Sequence, residues 1–349
     1  MVVDLRDLEP APSLPGADGE GGRTRSRWWV GRLGSYGATL FFLITLNFFL
    51  PRAMPGNPLL GLVADPHSPT FVANPAIRSA LAHYYGLDQS LWSQYAHYLA
   101  GLAHGNLGVS ITSNTPVTTL LAGRLPWTLL LVGSGLLLAS VVAMVGGVHS
   151  GWRPGGSADR RLLGVFLVLG YGPVIFLTPV ALYLLAVKVH LFPLGGGSTP
   201  FATFGLAGQV ADVGHHLVLP GIVMAMLFVG SQYLLMRGGM VSELGADYLR
   251  LGRAKGLRDR RLKYRHAARN ALLPVVSEQA AQLGFAVGIS LVVERLFTWP
   301  GVGSFMFAAV QARDYPTMQG CFLVISVTVV TANLLADLAY ARLDPRTRV

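Results

Sequence analysis

The sequence predicts an all-α integral membrane protein with six transmembrane helices. Of its 349 residues, 52% are hydrophobic and only 13% are charged. One soluble core rarely accommodates so large an apolar share. The apolar residues are also concentrated in six runs of about 20 residues, which is the length that a helix needs to cross a hydrocarbon layer.

Five of the six runs lack Asp, Glu, Lys and Arg, and the fifth in chain order contains only Glu278. Lipid offers no hydrogen-bond partner to the backbone, and alternating barrel strands would not give continuous apolar runs. The runs are therefore predicted to be helices. They cover residues 33–50, 127–148, 162–187, 217–236, 272–293 and 318–336.

The basic residues predict that both termini lie in the cytoplasm, because cytoplasmic loops retain Lys and Arg near span ends. With the N-terminus inside, 21 of the 27 Lys and Arg residues fall on the cytoplasmic side. They lie in the N-terminal tail, the loops 148–162 and 236–272, and the C-terminus. The net charge of +10 therefore needs no nucleic acid to explain it.

The predicted organisation is a disordered, basic cytoplasmic tail over residues 1–32 followed by one transmembrane domain over 33–349. The start of the tail is rich in Gly, Pro and acidic residues, which is typical of disorder. Residues 51–126 form the predicted extracytoplasmic loop, with an amphipathic helix over 77–102 that packs on the membrane domain. Residues 237–274 form the main cytoplasmic loop.

No catalytic or metal site is predicted. The sequence lacks the phosphate-binding loop, the dinucleotide fingerprint, H-E-x-x-H and G-x-S-x-G. The single cysteine, Cys321, excludes a disulfide framework within the chain. Two histidine groups could bind metal, but interfacial or surface histidines are the favoured interpretation. These groups are His215 with His216, and His83 with His97 and His104.

The cytoplasmic loop 237–274 carries ten Lys or Arg residues against three acids. Its centre has helical composition, with Asp247 near the start and Gly256 placed to end the helix in a left-handed conformation. Two interpretations fit this loop. In the first, the basic residues rest on anionic lipid headgroups, and each charge contributes about 1 kcal/mol to membrane binding. In the second, the helix docks on a protein. In the second case Gly252 and Ala254 permit close approach, while Arg253 and Lys255 fix the register.

Glu278, Gln279 and Gln282 form a polar stripe in the fifth run, because they share one helical face. Exposure of a buried acid to lipid costs about 2.5–3.5 kcal/mol. The stripe is therefore predicted to line a water-filled pathway or a subunit interface. The alternative is that Glu278 extends to the membrane surface. Gly284 and Gly288 add a weak G-x-x-x-G packing signal.

Segments at four positions along the chain carry a resemblance to a known family. DYLRLGRAKGL and RHAARNALLPV lie in the cytoplasmic loop, MPGNP follows the first run, and GLDQ and GNLG lie in the outer loop. VVERLFTWPGVG, RDYP and LDPR follow near the C-terminus. Together they resemble the permease subunits of ABC importers, in the dipeptide, oligopeptide and nickel branch, from about residue 33 to the C-terminus.

This resemblance implies a non-catalytic, multi-pass subunit of a prokaryotic plasma (inner) membrane. Such a subunit pairs with a second, homologous permease, and two cytoplasmic ATPase subunits bind the ATP and Mg. An extracytoplasmic substrate-binding protein delivers the peptide. The resemblance places ATPase coupling on Asp247, Tyr248, Arg250, Arg253, Ala254, Lys255 and Gly256.

The sequence also departs from the family pattern. Gly252 replaces the usual alanine, which destabilises a helix by up to about 1 kcal/mol. Asn57 and Asn106 stand where the family often has Asp. Nickel chelates or another small solute remain alternative substrates. A secondary transporter remains the less favoured class, because no internal repeat or charged relay within the spans is recognised.

The predicted topology can be tested with cysteine substitutions at Ser90 and Thr347 in a chain whose Cys321 is replaced by Ser. An impermeant thiol reagent added to intact cells should label Ser90→Cys and spare Thr347→Cys. A permeant reagent should label both. Equal labelling of the two positions by the impermeant reagent would contradict the topology.

Overall fold

The computed structural model describes residues 21–53, 79–80, 83 and 88–343. Within these ranges the chain is almost entirely helical and contains no β-strand beyond one isolated bridge between Val109 and Pro116. The predicted tail residues 1–20, the segment 54–58 and residues 344–349 lie outside them.

The helices are α1 (Gly21–Ala53), α2 (Leu91–Ala103), α3 (Val117–Trp152), α4 (Ser157–Tyr171), α5 (Val174–Ala181), α6 (Leu206–Glu243), α7 (Asp247–Ala254), α8 (Asp259–Arg261), α9 (Ala268–Leu296), α10 (Val302–Ala312) and α11 (Tyr315–Leu343). Two π-helical stretches, Leu182–Lys188 and Leu262–Ala267, continue α5 and α8.

Four helices of the described part are long and apolar enough to cross a membrane, and a bent pair makes a possible fifth. The bent pair joins Asp259–Val276 to Ala281–Leu296 at an angle of 57°. Pro274 lies just before this bend, and a proline inside a helix removes a backbone hydrogen bond and kinks the axis. The four single-helix spans are Gly34–Ala53, Val117–Trp152, Leu206–Glu243 and Tyr315–Leu335.

The remaining predicted span, residues 162–187, is not one uninterrupted helix, and that prediction is wrong. Helix α4 ends at Tyr171, Gly172 is extended with ψ 148°, and α5 begins after Pro173. The cause is the proline, because a residue that precedes proline is disfavoured in the helical conformation. Pro179 lies inside α5, shortly before the π-helical stretch.

The predicted tail 1–32 overlaps the first helix, because α1 begins at Gly21. Residues 21–32 contain no proline. Once an apolar span is helical, adding further residues to its end needs no new nucleation. The basic residues Arg23, Arg25 and Arg27 therefore belong to the first turns of α1.

The most extensive helix contact joins α3 and α6. Three glycines of α3 face methionines of α6, and a Cβ atom added to each would lie 2.5–2.7 Å from the methionine side chain. Facing residues keep a constant difference in number, so the two helices run parallel. The pairs are Gly135 with Met224, Gly147 with Met236, and Gly151 with Met240.

Helix α4 runs antiparallel to α6. Gly170 contacts Gly230, the rings of Phe166 and Tyr233 stack with centroids 4.2 Å apart, and Asp159 binds Arg237. The chain therefore leaves the end of α3 and returns along the pair to reach the start of α6. Helix α9 packs on the other side of α6, where Gly239 lies against Ala271.

Glu294 organises the junction between α9 and α10 and was missed by the sequence analysis, which ended the apolar run at Val293. Its side chain is 0% exposed. It accepts hydrogen bonds from Thr128 Oγ1 at 2.7 Å and from the backbone N–H groups of Gly303 and Ser304 at 2.6 and 3.2 Å. A carboxylate thus satisfies the free N–H groups at the start of α10.

The described part of the loop 51–126 packs on the long apolar helices, as the sequence predicted. Thr45 of α1 hydrogen-bonds Tyr95 of α2 at 2.8 Å, and buried Asp314 accepts from Ser110 Oγ at 2.6 Å. Asn106 closes a turn by accepting from the Gly108 N–H at 2.9 Å. An uncharged amide therefore serves this local role, whereas Asn57 lies outside the described residues.

The predicted outer helix is shorter than expected where the structure describes it. It begins at Leu91 after Ser90, whose hydroxyl accepts from the Ser93 N–H. Residues 88–90 are not helical, while 79–80 and 83 are. The rest of the predicted helical stretch from residue 77 lies outside the described residues.

Candidate functional site

The short helix α7 forms the centre of the loop 237–274. It begins at Asp247 and is followed by a left-handed Gly256, as the sequence predicted, although its last helical residue is Ala254. Gly256 follows it with φ +75°. The Gly256 N–H donates to Arg253 O at 2.9 Å, and the Leu257 N–H donates to Gly252 O at 3.1 Å. These two bonds define a Schellman ending, which satisfies carbonyl groups that the helix leaves free.

One side of α7 is buried, and the other is exposed. Leu249 is fully buried in an apolar cluster with Met240 of α6, Leu262 of the π-helical stretch and Ala271 of α9. This cluster fixes the helix to the ends of two membrane helices. All seven predicted coupling residues lie exposed, namely Asp247, Tyr248, Arg250, Arg253, Ala254, Lys255 and Gly256.

The structure explains why glycine replaces alanine at position 252. A Cβ atom added to Gly252 would lie 2.6 Å from Leu262 Cδ2 and 3.5 Å from Leu257 Cδ1. Leu262 is itself buried, so it has little room to move aside. The glycine lowers helix propensity but lets the loop fold closely against α7.

The charges on the exposed side are weakly paired within the chain. Arg250 lies 3.8 Å from Asp247, and Arg253 lies 3.9 Å from Asp259. Exposed ion pairs of this kind contribute about 0–1 kcal/mol. The basic side chains of α7 are therefore free to bind an acidic partner with little loss of internal stability.

Tyr248 ties α7 to the neighbouring helices through its hydroxyl group. The hydroxyl donates to Glu243 at the end of α6 and accepts from Asn270 Nδ2 of α9 at 3.2 Å. Partial burial and the bond to Glu243 raise the pKa of Tyr248 to about 12. The hydroxyl thus stays protonated at neutral pH and acts as a positioning group.

A buried ion pair beneath the loop was missed by the sequence analysis. Arg237 of α6 donates from Nε and Nη2 to the two carboxylate oxygens of Asp159, at 2.7 and 2.8 Å. Asp159 is 3% exposed and also accepts from Ser150 Oγ and from the Gly155 N–H. Ser150 in turn contacts the Tyr233 hydroxyl at 2.6 Å.

The hydrogen bonds from Arg237 hold the pKa of Asp159 well below its usual range, against the opposing effect of burial. The carboxylate is therefore charged at neutral pH. A signal for this pair was present in the sequence, because Asp159 is the only acid in the loop 148–162. Its partner could not be named, since Arg237 is one of ten basic residues in its own loop.

The predicted polar stripe is partly buried against α6. Gln282 accepts from Gln232 Nε2 at 2.7 Å and donates to Ser231 Oγ at 2.9 Å and to Glu278 Oε1 at 3.0 Å. Gln232 also accepts from Ser140 Oγ of α3 at 2.8 Å. These bonds satisfy polar groups between three helices. Glu278 and Gln279 keep partial exposure, whereas Gln282 is buried.

The histidines that were candidate metal ligands in the sequence each make a hydrogen bond of their own. His215 Nε2 contacts Leu191 O at 2.9 Å, and His216 Nδ1 contacts Asp212 O at 2.9 Å. His83 Nδ1 contacts the Asp88 carboxylate at 2.9 Å. Among the residues that the structure describes, no three His, Cys, Asp or Glu side chains group as a metal site requires.

Residues 135–349 match the family described as binding-protein-dependent transport system inner membrane component. Over 312 residues the chain is 36% identical to a Brucella ovis protein whose name describes a peptide permease, covering 89% of this chain and 95% of that protein. It is 33% identical over 308 residues to the oligopeptide transport system permease protein AppB of Bacillus subtilis, covering 88% and 94%. It is 32% identical over 335 residues to the dipeptide transport system permease protein DppB of Escherichia coli, covering 91% and 97%.

We expect Asp159→Asn to destabilise the protein by about 2 kcal/mol, because it leaves the donors of Arg237 with a weaker, uncharged acceptor. Chemical denaturation in detergent micelles measures the loss. Since the pKa of Asp159 is depressed, its contribution is complete above the ordinary carboxyl pKa of about 3.9 and is lost as the pH falls further.

The matched control is Asp259→Asn, which removes an exposed acid from the same side of the molecule and should change stability by less than about 1 kcal/mol. If the Asp159→Asn and Asp259→Asn variants were equally stable, the ion pair between Asp159 and Arg237 would not stabilise the loop.

Proposed function

Because this chain belongs to the family of binding-protein-dependent transport system inner membrane components, we propose that it forms half of the translocation pathway of an ATP-driven importer. The names of its relatives support di- or oligopeptides as the substrate. The proposed partners are a second permease, two ATPase subunits that hold ATP and Mg, and an extracytoplasmic binding protein.

The observation that carries the proposal is the construction of α7. This helix is short, its exposed side carries basic residues beside the apolar Leu251, and Leu249 fixes it to the ends of α6 and α9. A Cβ atom added to Gly256 would find no atom of the described residues within 4 Å, apart from its two chain neighbours, which leaves open space beside the helix end. We propose that an ATPase subunit contacts this surface, where Arg253 and Lys255 set the orientation.

The same contacts offer a route for motion. A displacement of α7 acts directly on Met240 through Leu249 and on Glu243 through Tyr248. Both residues lie in the last turns of α6. We propose that movement of the ATPase subunits is transmitted to α6 and thereby to the membrane part of the chain.

Six crossings with both termini in the cytoplasm are supported by the direction of the helices. Helices α3 and α6 run parallel, and α4 runs antiparallel to α6. The segment 153–205 must therefore return along the length of the pair. We propose that α4, α5 and the π-helical stretch make the third crossing in pieces.

The proposed pathway role of the polar stripe rests on Glu278 and Gln279, because these two side chains keep partial exposure. Gln282 is buried and instead holds Glu278 in place through its Nε2 donor. We propose that Glu278 and Gln279 face water in the assembled transporter.

The proposal is tested by Gly256→Val. A β-branched residue is strained at φ +75°, and its side chain would enter the space that the ATPase is proposed to occupy. The variant should insert and pair with its partner permease, but lose copurification of the ATPase subunits and substrate-stimulated ATP hydrolysis.

Charge reversal of Arg253 and Lys255 should weaken copurification only in part, since exposed charges steer docking more than they hold it.

The matched control is Gly245→Val, at an exposed glycine near the other end of α7. Gly245 has no positive φ, and a Cβ atom there meets no atom within 4 Å. This variant should retain the ATPase subunits. A Gly256→Val complex that also keeps them and transports normally would remove the support for docking at α7.

A further inference from the structure

A cavity of about 1010 Å³ opens beside the cytoplasmic loop, between the end of α3, the start of α4 and the segment that begins with α8. Its rim carries Arg153, Arg260 and Lys263, and its wall includes Trp152 and Val145. A second concavity of about 400 Å³ adjoins it and is lined by four arginines and Tyr264. Arg260 and Tyr264 line both.

Three basic side chains, Arg153, Arg260 and Lys263, line the cavity against two carboxylates. Asp159 is neutralised by Arg237 in bidentate geometry, and exposed Asp259 lies 3.9 Å from Arg253 in a weak pair. Among the described residues, no carboxylate forms an ion pair with Arg153, Arg260 or Lys263.

Arg153 and Lys263 also lie close enough to repel one another electrostatically. Two neighbouring cations without a counter-charge favour the binding of an anion between them. The hydroxyl of Tyr264 contacts His149 Nε2 at 3.2 Å and fixes one wall of the cavity. The site is thus held by contacts that need no ligand.

The cavity has an apolar side that continues into the membrane part of the chain. Val145 lies in its wall, and Val141 and Val142 precede it by one turn in α3. All three side chains are exposed. Trp152 is a residue type that favours the boundary between lipid and water. A ligand that fits must combine an anionic head with a long apolar tail.

We propose that this cavity binds the headgroup of an anionic phospholipid from the adjacent leaflet, with an acyl chain along the exposed valines of α3. A basic recess at the end of a membrane helix offers the phosphate several donors at once. This site adjoins α7, because Arg253 lies 3.9 Å from Asp259 and 5.8 Å from the ring of Trp152, which both line the cavity. Lipid binding there does not depend on the proposed transport function.

Native mass spectrometry of the detergent-solubilised full chain, titrated with phosphatidylglycerol, tests the proposal. Phosphatidylcholine is the neutral comparison lipid, and glycerophosphate is the soluble anion without acyl chains. The wild-type protein should prefer phosphatidylglycerol. Arg153→Gln with Lys263→Gln should weaken its binding about 25-fold, since each basic residue near a membrane surface contributes about fivefold.

The matched control combines Arg160→Gln with Arg269→Gln, which removes two exposed charges that line neither concavity. Its affinity for phosphatidylglycerol should stay close to that of the wild type. Lys263→Arg should also keep the affinity, because it keeps the charge. If the first double variant does not fold, Arg260→Gln replaces it, with an expected loss of about fivefold.

Three results would overturn the proposal. The first is equal affinity of the two double variants for phosphatidylglycerol. The second is displacement of the lipid by glycerophosphate at similar concentration, which would identify a site for free anions. The third is no preference of the wild-type chain for phosphatidylglycerol over phosphatidylcholine, which would show that the basic side chains do not recognise the headgroup.

Discussion

The close approach of α3 to α6 is the contact on which the rest of the structure depends. In lipid, apolar side chains gain nothing by leaving one apolar environment for another, so helices associate through tight packing and hydrogen bonds. Gly135, Gly147 and Gly151 leave room for Met224, Met236 and Met240. The absence of a Cβ atom at these positions lets the two backbones approach closely.

This helix pair also sets the position of the loop 237–274. Arg237 directly follows Met236, and it holds Asp159 and the connection from α3 to α4. Met240, one turn later, packs against Leu249 of α7. The apolar contact at Leu249 therefore attaches α7 to α6, while the polar contact at Asp159 attaches the neighbouring connection.

Much of this arrangement could be predicted from local sequence patterns. Apolar runs predicted the positions of five long helices, and Asp247 and Gly256 predicted the bounds of α7, because these signals depend on neighbouring residues. The break at Gly172 and Pro173 was also visible, but the apolar run was given more weight. Residues 21–32 were predicted as disordered from composition, whereas helix continuity decides their structure.

Long-range partners could not be predicted in the same way. Asp159 lies far in sequence from Arg237, and Glu294 lies far from Thr128, so no spacing rule joins either pair. Gly252 could be recognised as unusual, but its reason required the position of Leu262. Gln282 shares a helical face with Glu278, yet its burial depends on Gln232 of another helix. Such residues are identified only when the packing is known.

Comparison of Gly147→Val with Gly133→Val tests the packing of α3 on α6 most directly. A Cβ atom at Gly147 would lie 2.7 Å from Met236 Cβ and 3.0 Å from the Arg237 backbone nitrogen, whereas one at Gly133 meets no atom within 4 Å. Both glycines lie in α3, so the intrinsic effect of the substitution on the helix is shared. In detergent, we expect Gly147→Val to lower the free energy of unfolding by about 1–3 kcal/mol more than Gly133→Val does. Equal unfolding midpoints for the two variants would contradict the view that glycine-mediated contact holds α3 and α6 together.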